Sequence, residues 1–232
     1  MQASITAAAT DVLTPSEVVL LNGDQFSRLD KNGFPLPRGG TAVDPNPLAI
    51  AALEAAILGN ERAGAITLEQ EIEKKLFGLL KGRVVRVRTG TAAPRWPEGS
   101  YEARICERVK KGGAEGITVK TLVIDLFPSD DDHPWTEVLQ QIAQALRARG
   151  LADEQTREKK ALGIFKTKST VAVLNAAGAS LAERHPATRV QDLLTSCQRE
   201  RPEVWSIIDS SVRAGLNYRQ ESSDSYGSSS FD

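Results

Sequence analysis

Cysteine and histidine are scarce in this sequence, and long apolar runs are absent from it. Its two cysteines, Cys106 and Cys197, are too few for the disulfide framework of a small secreted protein, which favours a reducing compartment. No apolar stretch approaches the roughly 18 residues that suggest a membrane span. The first ten residues carry neither the basic region nor the apolar region of a secretory signal. These absences predict a cytoplasmic protein.

Motifs for catalysis and metal binding are also missing. The sequence has no glycine-rich phosphate loop, serine nucleophile elbow, kinase signature or zinc-ligand spacing. Its two histidines, His133 and His185, each precede a proline in a polar stretch. The run Asp130 to His133 offers metal-binding groups, but four adjacent residues cannot all face one ion, and acids at a helix start explain it better. We therefore predict a protein that is not an enzyme, with no catalytic residue, cofactor or metal.

The charges of the chain nearly balance, because 29 basic residues face 30 acidic ones and leave a formal net charge of -1. Such a chain does not bind nucleic acid or an anionic membrane through its overall field, so any such binding requires a local basic patch. Hydrophobic residues make up 41% of the sequence and charged residues 25%, which is typical of a globular protein large enough to bury a core.

Helical patterns cover most of the chain. The run Thr14-Pro15-Ser16-Glu17 has the cap, proline and acid of a helix start. Apolar residues at four-residue steps predict a helix from Tyr101 that ends at Gly112, and the most regular helix covers 134–149, before Gly150. The apolar residues of 119–127 fit a helix, although their β-branching leaves a strand open. Two or three shorter helices are predicted to finish the fold, near 179–184, 190–197 and 202–215.

Short strands and turns separate these helices. Residues 65–68 and 84–88 predict two strands joined by an acidic-to-basic segment, and Asp30-Lys31-Asn32-Gly33 predicts a turn. We therefore predict a mainly α fold, a compact helical domain with short β-hairpins. The predicted organisation is a flexible N-terminus at 1–12, a single helical domain at 13–216, and a Ser-rich disordered tail at 217–232.

One predicted helix, which opens at Asn46 and Pro47, is apolar on nearly all sides. Such a helix is normally buried at the centre of its domain. Glu54 is its one interior charge. A catalytic acid is one interpretation of this residue, but a carboxylate paired with an arginine where two helices meet is favoured, because a buried charge needs a partner.

The segment from 157 to 168 concentrates positive charge. Five cations against the single acid Glu158 give a local charge of +4, and three apolar residues lie between the cations. We predict a β-hairpin here, turning near Lys168 and Ser169. The cations are Arg157, Lys159, Lys160, Lys166 and Lys168, and the apolar residues are Leu162, Ile164 and Phe165. Arg147 and Arg149, in the last turn of the preceding helix, are expected to lie nearby.

Three interpretations of this hairpin are open from the pattern alone. A basic rim around an exposed apolar tip suits an anionic bilayer, where each cation adds about 1 kcal/mol. The same features suit the wing of a winged-helix protein on a phosphate backbone, although 138–146 contains no cation for a recognition helix. The third interpretation is structural: the apolar residues face the core or an oligomer contact, and the lysines only solvate the other face.

Several stretches, in order, resemble the Golgi phosphoprotein 3 family. Leu53-Glu54-Ala55-Ala56-Ile57-Leu58-Gly59 followed by Ala65-Ile66-Thr67-Leu68-Glu69 is similar to that family's buried helix and the strand after it. Leu79 to Val85 with Ala93-Pro94 resembles its next strand and loop. Thr118-Val119 with Leu122 to Leu126 resembles its Thr-Val-rich helix. The segment 142–150, followed by Glu158-Lys159 and Leu162 to Phe165, resembles its long helix and its β-hairpin.

This resemblance implies a mostly helical domain that attaches peripherally to membranes carrying phosphatidylinositol 4-phosphate. It also implies self-association through the hairpin and, in a eukaryotic cell, an adaptor at the Golgi that holds client proteins by their cytosolic tails. The family's pocket arginines correspond here to Leu48, Thr136 and Leu139, and no tryptophan precedes Glu54. We therefore predict a membrane-surface adaptor that contacts anionic lipid through the hairpin with support from Arg147 and Arg149, and nucleic acid is disfavoured as a partner.

Overall fold

The computed structural model describes residues 12–39, 41–75, 80–127, 133–161 and 165–227. Its helices in these ranges are α1 (Pro15–Leu21), α2 (Pro45–Arg62), α3 (Tyr101–Lys111), α4 (Val119–Leu126), α5 (Pro134–Ala148), α6 (Ala176–Arg184), α7 (Thr188–Glu200) and α8 (Pro202–Gly227). Its strands are β1 (Leu29–Pro35), β2 (Ala42–Val43), β3 (Ile66–Lys75), β4 (Leu80–Thr89), β5 (Ile117–Thr118), β6 (Ala152–Ala161) and β7 (Phe165–Leu174). The predicted mainly α class is confirmed.

Helix α2 lies at the centre of the core, in contact with α1, α3, α5, α7 and α8. The prediction of a helix buried on nearly all sides is confirmed, since Leu48, Leu53 and Ile57 are fully inaccessible to solvent. The helix begins at Pro45, because the Asp44 side chain accepts a hydrogen bond from the Asn46 backbone amide and caps the first turn. Its apolar surface on all sides determines the arrangement of the other helices around it.

The predicted ends of α1, α3 and α5 are close to the observed ones. Thr14 and Glu17 form a complete capping box at the start of α1. Helix α3 ends at Lys111 with Gly112 as its cap, and α5 ends at Ala148, just before the left-handed Gly150 with φ of 70°. The open choice for 119–127 is settled as helix over Val119–Leu126, whose apolar face is buried.

Two long antiparallel ribbons and a short third pair complete the fold. Strands β3 and β4 are paired over ten residues each, longer than the predicted strands, and β5 adds to the β4 edge. The predicted turn at 30–33 lies inside β1, where pairing with β2 is interrupted between Leu29 and Phe34. The Asp30 carboxylate there accepts a 2.9 Å hydrogen bond from the Asn32 amide, which gives the strand a local turn.

The predicted turn of the second long hairpin is wrong. The register of β6 and β7 pairs Lys168 with Glu158 and Ser169 with Arg157, so both residues lie well inside β7. The residues between the two strands, 162–164, lie outside the described residues. The β-branched Thr167, Thr170 and Val171 favour a continuous strand through this segment.

The C-terminal helix is longer than the prediction allows. Helix α8 continues to Gly227, so the predicted disorder is wrong for residues 217–227. The buried residues Ile208, Val212 and Leu216 fix the body of α8 on the core, and extending a formed helix is far easier than starting one. The segments 1–11 and 228–232 lie outside the described residues. In the part of the chain that the structure describes, none of the helices is both long enough and apolar enough to cross a membrane.

Candidate surface-contact site

The cations of the predicted site lie in the outer half of the β6–β7 hairpin, which we call the basic ribbon (152–174). Each strand has ten residues, about 30 Å at about 3.3 Å per residue. Asp153 and Glu154 lie near its base, whereas Arg157, Lys159, Lys160, Lys166 and Lys168 follow toward its end. Charge is therefore separated along the ribbon, acidic at the base and basic at the end.

The register places like charges opposite each other at the ribbon end. Lys160 pairs with Lys166, and the next pair outward is Ala161 with Phe165. Directly opposite like charges destabilise an antiparallel pair, so an anion bound at this end would relieve a repulsion. Leu162 and Ile164 lie outside the described residues, and their apolar tip stays a prediction.

The base of the basic ribbon is fixed to the helical body. The Leu174 amide donates a 2.9 Å hydrogen bond to the Pro37 carbonyl. The Asn175 side-chain amide donates at 2.9 Å to the Gly150 carbonyl, while its oxygen accepts from the Gly178 amide and caps α6. With Ala152 and Val171 buried against the core, the ribbon has a rigid attachment.

Gly178 is required for this attachment, because a Cβ there would lie 2.0 Å from the Leu151 carbonyl oxygen. We expect Gly178→Ala to lower the free energy of unfolding by about 1–3 kcal/mol, the usual range for overpacking. Ala179→Gly in the same helix is the control, since it removes a methyl group at an exposed site and should cost about 1 kcal/mol or less. Urea unfolding of both variants measures the difference, and a Gly178→Ala variant as stable as wild type would contradict the close contact.

A groove of about 900 Å³ lies between the base of the ribbon, α5 and β1. Four charged residues line it, Asp30, Lys31, Arg147 and Glu154, so their formal charges cancel. Arg147, a predicted support for the lipid contact, forms an ion pair with Glu154 across this groove. The groove therefore presents mixed polarity and not a concentrated positive field.

The positions that the resemblance to the Golgi phosphoprotein 3 family aligns with pocket arginines do not form an anion site. Leu48 and Leu139 are fully buried in the core. Thr136 does line the groove beside the ribbon, but it carries a hydroxyl and no charge. Other residues must therefore provide any binding of anionic lipid by this chain.

Arg149 lies inside the protein and not beside the ribbon end. Its side chain is 7% exposed. One guanidinium nitrogen lies 2.6 Å from each Glu17 carboxylate oxygen, and another donates at 2.6 Å to the Val12 carbonyl. Its charge is thus used to join the end of α5 to the start of α1, which corrects the expectation that Arg149 supports a surface contact.

Next to this ion pair lies a second buried carboxylate that the sequence did not reveal. The Ser16 amide and hydroxyl donate to Glu102 at 2.8 and 3.0 Å. Burial raises the pKa of Glu102 to about 7, with the Ser16 amide opposing this rise and the Glu17 charge adding to it. The capping pattern at Thr14 indicated the helix start, but no local signal indicated that residues 102 and 149 would meet it.

Glu54 lies where α2 contacts α8, a contact between two helices as predicted, but the largest charge effect on it comes from another acid, Asp209. Its side chain is 4% exposed. Burial raises the pKa of Glu54 to about 8, helped by the charge of Asp209 and a hydrogen bond with it, while Arg213 opposes the rise. Arg213 itself donates to Asp209 at 2.9 Å. The favoured pairing of Glu54 with an arginine is therefore replaced by a pairing with the acid Asp209, which itself binds Arg213.

The described residues contain no group of three or more histidine, cysteine or acidic side chains arranged to hold a metal ion. His133 is the residue that caps α5, whereas Asp130, Asp131 and Asp132 lie outside the described ranges.

Comparison with known proteins gives no match: no family model fits the chain, and neither the curated proteins nor the solved structures contain a significant relative.

Proposed function

We propose that this protein is a non-enzymatic adaptor that attaches peripherally to anionic membrane surfaces through the end of the basic ribbon. The observation that carries the proposal is the separation of charge along β6 and β7, with the Lys160 and Lys166 pair at the outer end. Each cation near an anionic bilayer contributes about 1 kcal/mol. The apolar pair Ala161 and Phe165, next outward, suits insertion at the interface between headgroups and acyl chains.

The resemblance to the Golgi phosphoprotein 3 family supports this proposal through the order of its elements. In the structure, the long helix α5 leads directly into the basic ribbon, the order that the resemblance implies. Leu48 and Leu139 are buried where the family has pocket arginines. We therefore propose recognition of anionic lipid in general, with phosphatidylinositol 4-phosphate as one such lipid. Client-protein tails and self-association through the ribbon belong to the same proposal.

Nucleic acid is less well supported as the partner. In a winged-helix arrangement, α5 would be the recognition helix, but it carries no cation before Arg147, which pairs with Glu154. Its more accessible positions include Glu137, Gln140 and Gln144. A recognition helix needs basic or polar contacts that suit phosphates and base edges, and a carboxylate opposes them.

Vesicle binding tests the proposal directly. We expect wild-type protein to sediment with vesicles that contain phosphatidylserine and not with vesicles of phosphatidylcholine alone. Lys160→Glu with Lys166→Glu should lower the partition coefficient at least about tenfold, because each lost cation costs about 1 kcal/mol.

The matched control reverses two exposed lysines elsewhere, Lys110→Glu with Lys111→Glu in the last turn of α3. It changes the net charge by the same amount, so it should leave sedimentation nearly unchanged if the ribbon is the contact. Equal losses in both variants would indicate a response to overall charge. Binding of wild type to duplex DNA but to no vesicle would favour the winged-helix interpretation and reject the adaptor.

A further inference from the structure

The hairpin of β3 and β4, which we call the second ribbon, repeats the residue types of the basic ribbon in the same order. Residues 74–83 read Lys-Lys, two apolar residues, Gly, two apolar residues, Lys, any residue, and a cation. Residues 159–168 read the same way at every position. A glutamate precedes the pattern in both segments, Glu73 in one and Glu158 in the other.

The register of the second ribbon also places two lysines opposite each other at its end. Lys74 pairs with Lys81, and the next pair outward is Lys75 with Leu80. In the basic ribbon the corresponding pair is Lys160 with Lys166. Lys160 is the second lysine of its Lys-Lys pair, whereas Lys74 is the first of its own. Both ribbons therefore place two lysines at directly opposed register positions near their ends, and like charges at such positions disfavour an antiparallel pair.

Charge is separated along the second ribbon as well. Nearer the body, Glu69 accepts from Arg88 at 2.6 Å, and Glu71 binds both Arg88 and Arg86 at 2.8 and 2.9 Å. These pairs neutralise the inner part of the ribbon. Toward its end the sequence contains Lys74, Lys75 and Lys81 against the single acid Glu73.

An exposed apolar side chain accompanies these cations. Ile72 is 67% exposed, although isoleucine is among the residues that proteins most often bury. It lies opposite Arg83, just inside the Lys74 and Lys81 pair. Cations beside an accessible apolar residue suit a membrane interface, where the apolar side chain leaves water and the cations face the headgroups. A phosphate backbone would use the cations only.

We propose that the end of the second ribbon, with Lys74, Lys75, Lys81 and Ile72, is a second contact for an anionic membrane surface. The inference rests on the proposed function of the basic ribbon, because it assigns the same partner to a second element. Each contact contributes its own electrostatic attraction to the membrane, and two contacts on one molecule bind more tightly than either alone when both engage one vesicle.

Charge reversal of each ribbon separately tests this inference. The variants of the full chain are Lys74→Glu with Lys81→Glu on the second ribbon, Lys160→Glu with Lys166→Glu on the basic ribbon, and the combined quadruple change. The control is again Lys110→Glu with Lys111→Glu. Sedimentation with phosphatidylserine vesicles at fixed salt gives each partition coefficient, and circular dichroism confirms that every variant is folded.

We expect the second-ribbon variant to lose at least about tenfold in partition coefficient, and the quadruple variant to bind more weakly than either pair. A second-ribbon variant that binds like the control, while the basic-ribbon variant loses binding, overturns the inference and leaves the proposed function standing. Absence of wild-type binding to anionic vesicles overturns both. If the second-ribbon variant loses binding to duplex DNA but not to vesicles, the second ribbon is assigned to nucleic acid, which also overturns the inference.

Discussion

Replacing Arg149 with methionine is expected to lower the free energy of unfolding by about 3–5 kcal/mol at neutral pH. The variant keeps much of the side-chain volume but removes the guanidinium that binds both oxygens of Glu17. Glu17 is 1% exposed, so its carboxylate would stay buried without this cation and close to Glu102. Loss of the 2.6 Å hydrogen bond to the Val12 carbonyl adds to the cost.

Arg147→Met is the matched control for this substitution, because it changes the same residue type two positions earlier in the chain. Its ion pair with Glu154 is more than one-third exposed on both sides, and exposed pairs contribute about 1 kcal/mol or less. Urea unfolding of the two variants therefore separates a buried pair from a surface pair. If the two losses are equal, Arg149 does not have the structural role assigned to it.

Glu54→Gln is expected to stabilise the protein at alkaline pH and to remove much of its pH dependence. The pKa of Glu54 is raised from its ordinary value of 4.5 to about 8. The folded state therefore retains a proton that the unfolded state releases, and stability falls as the pH rises from about 4.5 through about 8. Each unit of pKa difference corresponds to about 1.4 kcal/mol, so the wild-type loss across this range is several kcal/mol.

Glutamine preserves the shape of the protonated acid and can still donate a hydrogen bond to Asp209, but it cannot ionise. We expect the variant to equal wild type near pH 5 and to exceed its stability at pH 9. Glu102→Gln should remove only the smaller loss of stability that occurs between about pH 4.5 and pH 7. The exposed Glu98→Gln is the control and should leave the pH profile unchanged. A Glu54→Gln profile that follows wild type up to pH 9 would show that burial does not hold this proton.

Local patterns in the sequence predicted the helices well, because each helix start depends on residues close together in the chain. The capping box at Thr14 and Glu17 and the apolar stripe of α5 are contained within single elements. The existence of both long hairpins was also predictable from alternating and β-branched residues. Their lengths were not, since a cation such as Lys168 is compatible with a turn and with the solvated face of a strand.

Contacts between elements that are distant in the sequence could not be predicted from such local patterns. Arg149 and Glu17 are separated by 132 positions, and nothing near either residue indicates that the end of α5 meets the start of α1. For the same reason Glu54 was expected to face an arginine, although α8 brings both Asp209 and Arg213 close enough to shift its pKa, with Asp209 having the larger effect. The cations of the basic ribbon could be selected from the sequence because charge composition is local, whereas the pairing of lysines across the end of each ribbon required the strand register.

The basic ribbon is long enough that charges on the rest of the protein have little effect on a bilayer in contact with the ribbon end. At physiological ionic strength an electric field decays within about 8 Å, a fraction of the ribbon's length of about 30 Å. Under the proposed function, for a bilayer contacted only at that end, the acids at the base of the ribbon, Asp153 and Glu154, lie beyond that range and add little repulsion. Under the proposed function, substitutions on the helical body away from both ribbon ends are therefore expected to leave membrane binding unchanged.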